Sequence, residues 1–251
     1  MAEFIYGINP VREALLGGGR RPLLLILAEG SQSSRHQEIL LEAGRANVPV
    51  IRKKRQELDR LAGTSHHQGA LLEIEPFAYA DLEDLLVRRR QSGQKAFFLV
   101  LDGITDPHNL GAILRSADAA GCHGVIMARD RSCPVTAVVD KVSAGALEHV
   151  PLCRVTNLAR TLEKFKSEGM WVYGLAGEGD SVSLYKGTDL TGDVVLVVGS
   201  EGSGLRANVR RHCDLLLAIP MAGRVSSLNA SVAAALALFE VVRQRQSSEE
   251  N

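Results

Sequence analysis

The sequence has little of what marks several protein classes. Aromatic residues make up only 4% of its 251 residues, and no apolar run approaches the roughly 18 residues that a membrane-spanning helix needs. Its 29 Lys and Arg balance 29 Asp and Glu, so no global charge attracts nucleic acid, and any such binding must use local patches. Apolar residues at 45% allow a real core, and the length fits one large domain or two small ones.

The cysteines argue against metal binding and cross-linking. Cys122, Cys133, Cys153 and Cys213 lie far apart without a C-x-x-C pair, which is not the spacing of a zinc site, and reduced thiols fit better than a disulfide framework. The N-terminus shows no charged-then-apolar signal sequence. We therefore expect a cytoplasmic protein with no metal and no membrane contact.

Residues 1–75 predict a small α/β unit. Asn9 and Pro10 predict a helix start, and Gly17–Gly19 its end. The adjacent His66 and His67 point to different faces and make a poor metal pair, so we interpret their loop as a contact with a polar partner. Apolar spacing predicts further helices and strands, with strands at 23–27, 48–51 and 69–74 and helices at 34–46 and 55–62.

Two short basic runs, Arg52–Arg55 and Arg88–Arg90, interrupt an otherwise even charge distribution. Each is either a solvated helix face, which is the commoner case, or an RNA contact. The second run falls in residues 76–95, where the composition changes at Pro76 and an acidic stretch follows. We predict a linker there, with one short helix over 82–90.

From residue 96 onward, strands and helices alternate. The predicted strands are continuously apolar, with no alternation of apolar and polar residues, and helices lie between them. This pattern indicates a parallel sheet covered by helices on both faces. Ligands of such sheets bind beyond the carboxyl ends of the strands, and three unusual loops fall there. The predicted strands lie at 97–101, 124–128, 150–155, 170–175, 194–198 and 215–219, and the helices at 110–120, 135–144, 158–167 and 228–245.

The first unusual loop, D-G-I-T-D-P-H-N-L-G-A-I-L-R, runs from Asp102 to Arg115. Asn109 stands at the predicted helix start and Arg115 within its second turn, so a polar amide and a fixed cation can converge at the end of the strand. The alternative is that Arg115 only neutralises Asp102 or Asp118.

The second loop, V-V-G-S-E-G-S-G-L at 197–205, places three glycines after a buried strand, which lets a ligand approach the backbone closely. Its spacing matches neither a Walker loop nor G-x-G-x-x-G. Glu201 would repel phosphate and suits a cationic or hydroxyl-bearing ligand. In the third loop, Ser227 and Asn229 stand at a strand-to-helix turn, where they can cap the helix or hold a ligand.

No serine–histidine–acid triad, cysteine nucleophile or metal cluster stands out. Their absence favours transfer from a preactivated donor, in which the protein supplies alignment rather than a covalent intermediate. The rival classes are an RNA-binding module without activity and a nucleotide-binding regulatory protein.

Together the three loops carry a resemblance. D-G-I-T-D-P-H-N-L-G-A-I-L-R-S-A, V-V-G-S-E-G-S-G-L and I-P-M-A-G-R-V-S-S-L-N-A-S-V-A resemble the signature motifs of the SpoU (TrmH-like) RNA 2′-O-methyltransferases, in order and at family spacing across residues 96–245. G-I-N-P-V-R-E-A, from Gly7, and His67–Gly69 resemble the small RNA-binding domain of the bacterial RlmB branch, which methylates a guanosine ribose of 23S rRNA.

The resemblance implies a SPOUT-type parallel sheet with a C-terminal trefoil knot, preceded by a small α/β (L30e-like) RNA-binding domain. The implied domains are 1–75 for RNA, 76–95 as linker and 96–251 for catalysis. It also implies S-adenosyl-L-methionine as methyl donor, RNA (ribosomal RNA first) as substrate and a homodimer as the working form. An enzyme acting on tRNA and an inactive RNA-binding relative remain the alternatives.

Position by position, the resemblance also assigns site residues. The polar catalytic set is Asn109, Arg115, Glu201, Ser227 and Asn229. A guanidinium stays protonated, so we expect Arg115 to clamp the neighbouring phosphate and stabilise the developing alkoxide rather than act as a base. The other members are expected to orient loop and substrate. The implied donor site consists of Ala176, Gly177, Gly199, Ile219, Met221 and Leu228.

Overall fold

A computed structural model of the protein describes residues 3–16, 20–177 and 181–249. The chain divides into two compact units. The first comprises Met1–Ala78 with Val135–Lys141, and the second Tyr79–Pro134 with Val142–Asn251. None of the helices in the described ranges combines the length and apolar composition that crossing a bilayer requires.

The first unit is an α/β fold around a four-stranded sheet of order β1-β4-β2-β3. Strands β2 and β3 are parallel, and β4 runs antiparallel to β1 and β2. The predicted alternation is confirmed, although β1 was missed, and the predicted helix end at Gly17–Gly19 lies outside the described residues. The elements are β1 (Glu3–Tyr6), α1 (Ile8–Leu16), β2 (Pro22–Ala28), α2 (Ser34–Arg45), β3 (Val50–Lys53), α3 (Arg55–Ala62) and β4 (Ala70–Ile74).

Strand β2 separates two small cores because its side chains alternate between the faces of the sheet. Leu25 and Leu27 pack with residues of α1 and α2. Ile26 and Ala28 face the other way and pack with Leu58 of α3. The four-stranded sheet is therefore covered by helices on both faces.

The prediction that the His66–His67 loop contacts a polar partner is wrong for His67. Its side chain is fully buried, with Nε2 2.9 Å from Asp59 Oδ1. Its Nδ1 accepts a hydrogen bond from the Gly69 amide at 3.0 Å, which makes Nε2 the protonated nitrogen. His67 thus fastens the turn before β4 to α3, and only its exposed neighbours His66 and Gln68 can meet a partner.

The second unit is built on a seven-stranded sheet of order β7-β6-β5-β10-β8-β11-β9. Every pairing in it is parallel, which confirms the predicted class. Its elements are α4 (Leu82–Ser92), β5 (Phe97–Asp102), α5 (Pro107–Ala119), β6 (Gly124–Ala128), β7 (Leu152–Val155), α7 (Leu158–Ser167), β8 (Trp171–Leu175), β9 (Val182–Ser183), β10 (Val194–Gly199), α8 (Ala207–Arg210), β11 (Leu215–Ala218) and α9 (Ala230–Glu249). Helix α6 (Ala137–Ser143) lies mostly within the segment Val135–Lys141 of the first unit.

The segment predicted to be a linker, 76–95, contains the predicted helix as α4. The Asp81 side chain caps this helix by accepting from the amides of Glu83 and Asp84. Leu85 and Leu86 are buried in the same cluster as Phe98 of the large sheet. Residues 82–92 therefore belong to the core of the second unit.

The final helix buries a different face from the one its large residues suggest. Val232, Leu236 and Phe239 lie on the predicted apolar face, yet they are 46%, 37% and 47% exposed. The buried positions are Ala230, Ala234, Ala237, Leu238, Glu240 and Val241. The spacing predicted the helix, but its buried face is turned from the predicted one and combines alanines with Leu238 and Val241.

Candidate functional site

The three unusual loops meet at one edge of the large sheet. Strand β5 ends at Asp102, β10 at Gly199 and β11 at Ala218. Gly199 lies directly beside Asp102 in the parallel register of β5 and β10. Because parallel strands share the direction of their carboxyl ends, the loops that follow them lie on the same side of the sheet.

A cavity of about 390 Å³ opens at this edge. Its volume falls in the usual range for small-molecule sites, about 300–1,000 Å³. Backbone and apolar side chains dominate its lining, together with Glu201, Ser227 and Arg210. All six residues expected at the donor site line it, namely Ala176, Gly177, Gly199, Ile219, Met221 and Leu228.

The glycine-rich loop is folded tightly on itself. A Cβ on Gly199 would lie 2.2 Å from the Gly204 carbonyl carbon and 2.5 Å from the Leu205 amide nitrogen. The Ser200 amide donates to Gly204 O at 3.2 Å, and the Gly204 amide donates back to Ser200 O at 3.0 Å. The sequence predicted that a ligand could approach the backbone closely at these glycines. At Gly199 the close contact is instead made by the chain itself, with Gly204 and Leu205. The backbone of this loop forms one wall of the cavity.

An ion pair between buried Asp102 and exposed Arg206 holds the same loop to the end of β5. Asp102 is 1% exposed, and its two carboxylate oxygens accept from Arg206, at 2.8 Å from the backbone amide and 2.5 Å from Nε. The sequence reasoning missed Arg206. The available signal was an aspartate closing a wholly apolar strand, because a carboxylate in that position requires a cation or several donors.

Asn109, Glu201 and Asn229 form one hydrogen-bonded cluster beside the cavity. Glu201 Oε1 accepts from Asn109 Nδ2 at 3.0 Å, from Asn229 Nδ2 and from the Ala230 amide at 3.3 Å. Asn229 Nδ2 also donates to Asn109 Oδ1 at 2.9 Å. One carboxylate oxygen thus accepts three hydrogen bonds, from two side-chain amides and one backbone amide.

The side-chain oxygen of Asn229 also caps the start of α9. Its Oδ1 accepts from the backbone amides of Ser231 at 2.9 Å and Val232 at 3.3 Å. These contacts satisfy donors that the first turn of a helix leaves unpaired. The predicted capping role and the predicted polar cluster therefore fall on the same side chain, with the oxygen used for one and the nitrogen for the other.

The other two members of the polar set lie outside this cluster. Arg115 is exposed on α5 and has no ion pair within the described part of the chain. The alternative that it neutralises Asp102 is wrong, because Arg206 takes that place. Ser227 is exposed at the rim of the cavity. A cation with no ion pair among the described residues is available to an anionic ligand.

The described residues offer no group of three or more His, Cys, Asp or Glu side chains that could hold a metal ion. What the edge does offer is a cavity of apolar and backbone surface and an amide–carboxylate cluster beside it, while Arg115, exposed on α5, does not line the cavity. Such a site can bind and align a ligand and stabilise negative charge.

Comparisons with known proteins fit this geometry. The profile of the "SpoU rRNA Methylase family" matches residues 96–239, and that of "RNA 2'-O ribose methyltransferase substrate binding" matches residues 4–80. The chain is 48% identical over 246 residues to the 23S rRNA (guanosine-2'-O-)-methyltransferase RlmB of Pseudomonas aeruginosa, covering 97% of both chains. It is 45% identical to the RlmB of Escherichia coli K12, covering 98% of this chain and 100% of that one.

A solved structure is similar over almost the whole chain. The SpoU methyltransferase AviRb from Streptomyces viridochromogenes, in complex with the cofactor AdoMet, has a TM-score of 0.65 and 27% sequence identity, covering 98% of this chain and 91% of its own.

Proposed function

Because the chain belongs to the SpoU rRNA methylase family, we propose that it transfers a methyl group from S-adenosyl-L-methionine to the ribose 2′-hydroxyl of a guanosine in 23S rRNA. The observation that carries this proposal is the 48% identity to an RlmB enzyme over 97% of both chains. The alternative of a tRNA substrate is weaker, because the resemblance to RlmB extends through the N-terminal unit as well.

The donor site of the proposal is the cavity at the carboxyl edge of the large sheet. S-adenosyl-L-methionine supplies a methyl group already activated on a sulfonium. Ala176, Gly177, Gly199 and Ile219 offer backbone groups and apolar surface to hold the adenosine part, and Met221 and Leu228 add apolar walls. Pocket walls of this kind with a few fixed polar groups are usual for small-molecule sites.

Arg115 acts on the acceptor in this proposal. Its guanidinium stays protonated and cannot serve as a base. With no partner in the described part of its chain, it is free to clamp the phosphate next to the target ribose and to stabilise the alkoxide that develops as the proton leaves. Preorganised donors of this type are worth about 2.7–4 kcal/mol of barrier each.

Asn109, Glu201 and Asn229 position this machinery. Glu201 Oε1 is occupied by three donors, so its contribution is to lock the loop after β10 to the starts of α5 and α9. Ser227, at the rim of the cavity, completes the set by orienting donor and acceptor. A misplacement of about 1 Å in such an arrangement costs on the order of 100-fold in rate.

We extend the proposal to a homodimer with shared sites. The exposed stripe Val232, Leu236 and Phe239 on α9 supports it, since a second copy would cover these side chains. Arg115 would then act on the donor bound by the partner. Arg115→Ala and Leu228→Arg each disable one component. Mixed dimers purified through two tags should regain activity, and inactive mixed dimers would refute sharing.

The trefoil knot and the domain roles belong to the same proposal. The last strand, β11, lies between β8 and β9 although both precede it in the chain, and a knotted chain requires an insertion of that kind. We assign RNA selection to residues 1–75, in an L30e-like unit, and catalysis to 96–251. A cytoplasmic location follows from a ribosomal RNA substrate.

The experiment that tests the proposal is a methyl-transfer assay. The purified protein is incubated with labelled S-adenosyl-L-methionine and a 23S rRNA transcript, and the RNA is digested to nucleosides. Label in 2′-O-methylguanosine supports the proposal. Label in a base-methylated nucleoside, or only in a tRNA control, would overturn it.

A further inference from the structure

The first unit carries a group of cations at one end of its sheet. Arg52 and Lys53 close the parallel strand β3, and Lys54 and Arg55 lead into α3. Arg35 stands in the first turn of α2, which follows the neighbouring strand β2. We call these five residues the basic end. All except Lys53, which is half-buried, are exposed.

Contacts tie the loops at this end into one surface. The Glu29 amide, just after β2, donates to Lys53 O at 2.9 Å, and Arg52 Nη1 donates to Ser31 O at 3.4 Å. The turn before β4 joins them, because the Ala28 amide donates to Gly69 O at 2.9 Å. The five cations of the basic end therefore share one surface, at the end of the sheet where β2 and β3 finish. They do not form a stripe along a single helix.

Both N-terminal stretches that carry the family resemblance also lie here. The Ile8 amide, at the start of α1, donates to the side-chain Oε1 of Gln68 at 3.1 Å. This bond leaves the side-chain amide nitrogen of exposed Gln68 as a donor. Helices α1, α2 and α3 all begin at this end of the sheet, and the partial positive charge of helix N-termini adds to that of the side chains.

Most of the other cations of the first unit differ from the basic end in their charge pairing. Four of these six have carboxylate partners: Arg12 pairs with Glu38, Arg20 with Glu3 and Asp140, Arg45 with Glu42, and Lys141 with Glu13.

By contrast, none of the five residues of the basic end has an ion pair with a described residue. Glu57 Oε2 accepts from the Lys54 backbone amide at 3.2 Å and forms no ion pair with these cations. Five cations without an ion pair among the described residues, on a chain whose net charge is zero, indicate a local anion-binding surface.

We propose that the basic end is the surface through which the first unit holds the phosphate backbone of the substrate RNA. This inference rests on the proposed function for the identity of the RNA. Neutral overall charge prevents general attraction to nucleic acid, so binding strength must come from a local cluster of Lys and Arg that displaces counterions from the RNA. Phosphate contacts position a protein without reading sequence, so the target nucleotide is selected elsewhere.

The test compares two full-length triple variants that remove the same charge from the same unit. The first carries Arg52→Gln, Lys54→Gln and Arg55→Gln. The control carries Arg12→Gln, Arg21→Gln and Arg45→Gln, all exposed. Of the control positions, Arg21 precedes β2 and Arg45 ends α2, so both lie at the opposite end of the sheet. Binding to a 23S rRNA transcript is measured from 50 mM to 1 M salt.

Each phosphate contact contributes about 0.7–0.9 to the slope of log affinity against log salt. Loss of three contacts should make the slope of the first variant less negative by about 2 and weaken binding on the order of 100-fold at 0.1 M salt. The difference should close toward 1 M salt, which a misfolded variant would not show. Donor binding and the thermal midpoint should match the wild type.

An unchanged slope in the first variant, an equal change in the control, or a wild-type protein that does not bind the transcript would each overturn the inference. The proposed function fails by a separate readout. The wild type could bind the transcript with a salt slope that the first variant reduces, and yet transfer no methyl group. That result would support the basic end as an RNA-binding surface and would refute the proposed enzymatic function.

Discussion

Asn229 donates a hydrogen bond from Nδ2 to Oδ1 of Asn109 at 2.9 Å, although 120 positions separate the two residues. The bond links the first turn of α5 to the start of α9, and Glu201 of a third loop accepts from both side chains. The three loops of the site are therefore fixed to one another by side chains rather than by the sheet alone.

Asn229→Asp tests this link. The change keeps the oxygen that caps α9, because Asp is as good a cap as Asn. It removes the amide donor and places a second carboxylate beside Glu201. We expect kcat to fall by about 100-fold through misalignment, with a loss of about 1–3 kcal/mol of stability because Glu201 loses a donor and gains a like charge.

A pH series provides the control for Asn229→Asp. Two carboxylates that share a site raise the pKa of one of them, so at lower pH a shared proton should restore a hydrogen bond between them. The activity of the variant relative to wild type should therefore rise as the pH falls. A ratio that does not change with pH would contradict the linkage.

Arg115→Ala is expected to separate catalysis from stability. The side chain is exposed and unpaired in the described part of the chain, so unfolding by urea and binding of S-adenosyl-L-methionine should match the wild type. Methyl transfer should fall by about 100- to 1,000-fold, the usual loss for a preorganised electrostatic donor. Arg115→Lys keeps the charge and should recover part of the rate. A large loss of stability would mean that the role is structural.

Gly199→Ala should unfold the site locally. The added Cβ would meet the backbone of Gly204 and Leu205 at 2.2–2.5 Å, and backbone cannot move away as a flexible side chain does. We expect a loss of about 1–3 kcal/mol in the free energy of unfolding, together with weaker donor binding.

The matched control for this glycine is Gly192→Ala, where nothing lies within 4 Å of the new carbon. That change should be neutral or stabilising by about 0.4–1 kcal/mol. Equal effects at the two glycines in urea unfolding would refute the close-packing explanation.

Buried thiols should make the folded protein sensitive to alkaline pH. Burial raises the pKa of the Cys153 thiol to about 11 from an ordinary 9.0, and burial raises the pKa of Cys122 as well. Between pH 9 and 11 the unfolded chain loses protons that the folded chain keeps. The free energy of unfolding therefore falls as the pH rises, by about 1.4 kcal/mol per pH unit for each such thiol.

The comparison that isolates this effect is Cys153→Ala against wild type. Absolute stability will differ because a side chain has been shortened, so the quantity to compare is the change in unfolding free energy between pH 8 and pH 10.5. The variant should show the shallower decline. Parallel declines would mean that the thiol ionises equally in both states.

The sequence was informative where local pattern decides the structure. Continuous apolar runs such as Phe97–Leu101 correctly predicted buried parallel strands, and Asn229 caps α9 at the predicted strand-to-helix turn. The six donor-site residues expected from the family resemblance surround one cavity. Their roles in binding stay predictions.

The sequence was uninformative where the structure depends on distant partners. The pairing of Asp102 with Arg206 spans 104 positions, and no local pattern reveals it. Periodicity predicted α9 but not its buried side, because alanines pack inward with Leu238 and Val241 while Val232, Leu236 and Phe239 remain exposed. His67 was misjudged because a polar residue in a loop is usually exposed, whereas here Asp59 and the Gly69 amide satisfy both ring nitrogens.

The central claim is that the acceptor atom is a ribose 2′-oxygen. The most direct measurement uses a 23S rRNA fragment with 2′-deoxyguanosine at the nucleotide that the transfer assay identifies, beside the same fragment with guanosine. The account predicts labelling of the guanosine fragment, no labelling of the deoxy fragment, and equal binding of both. Label transferred to the deoxy fragment would place the methyl group on the base or another atom and would contradict it.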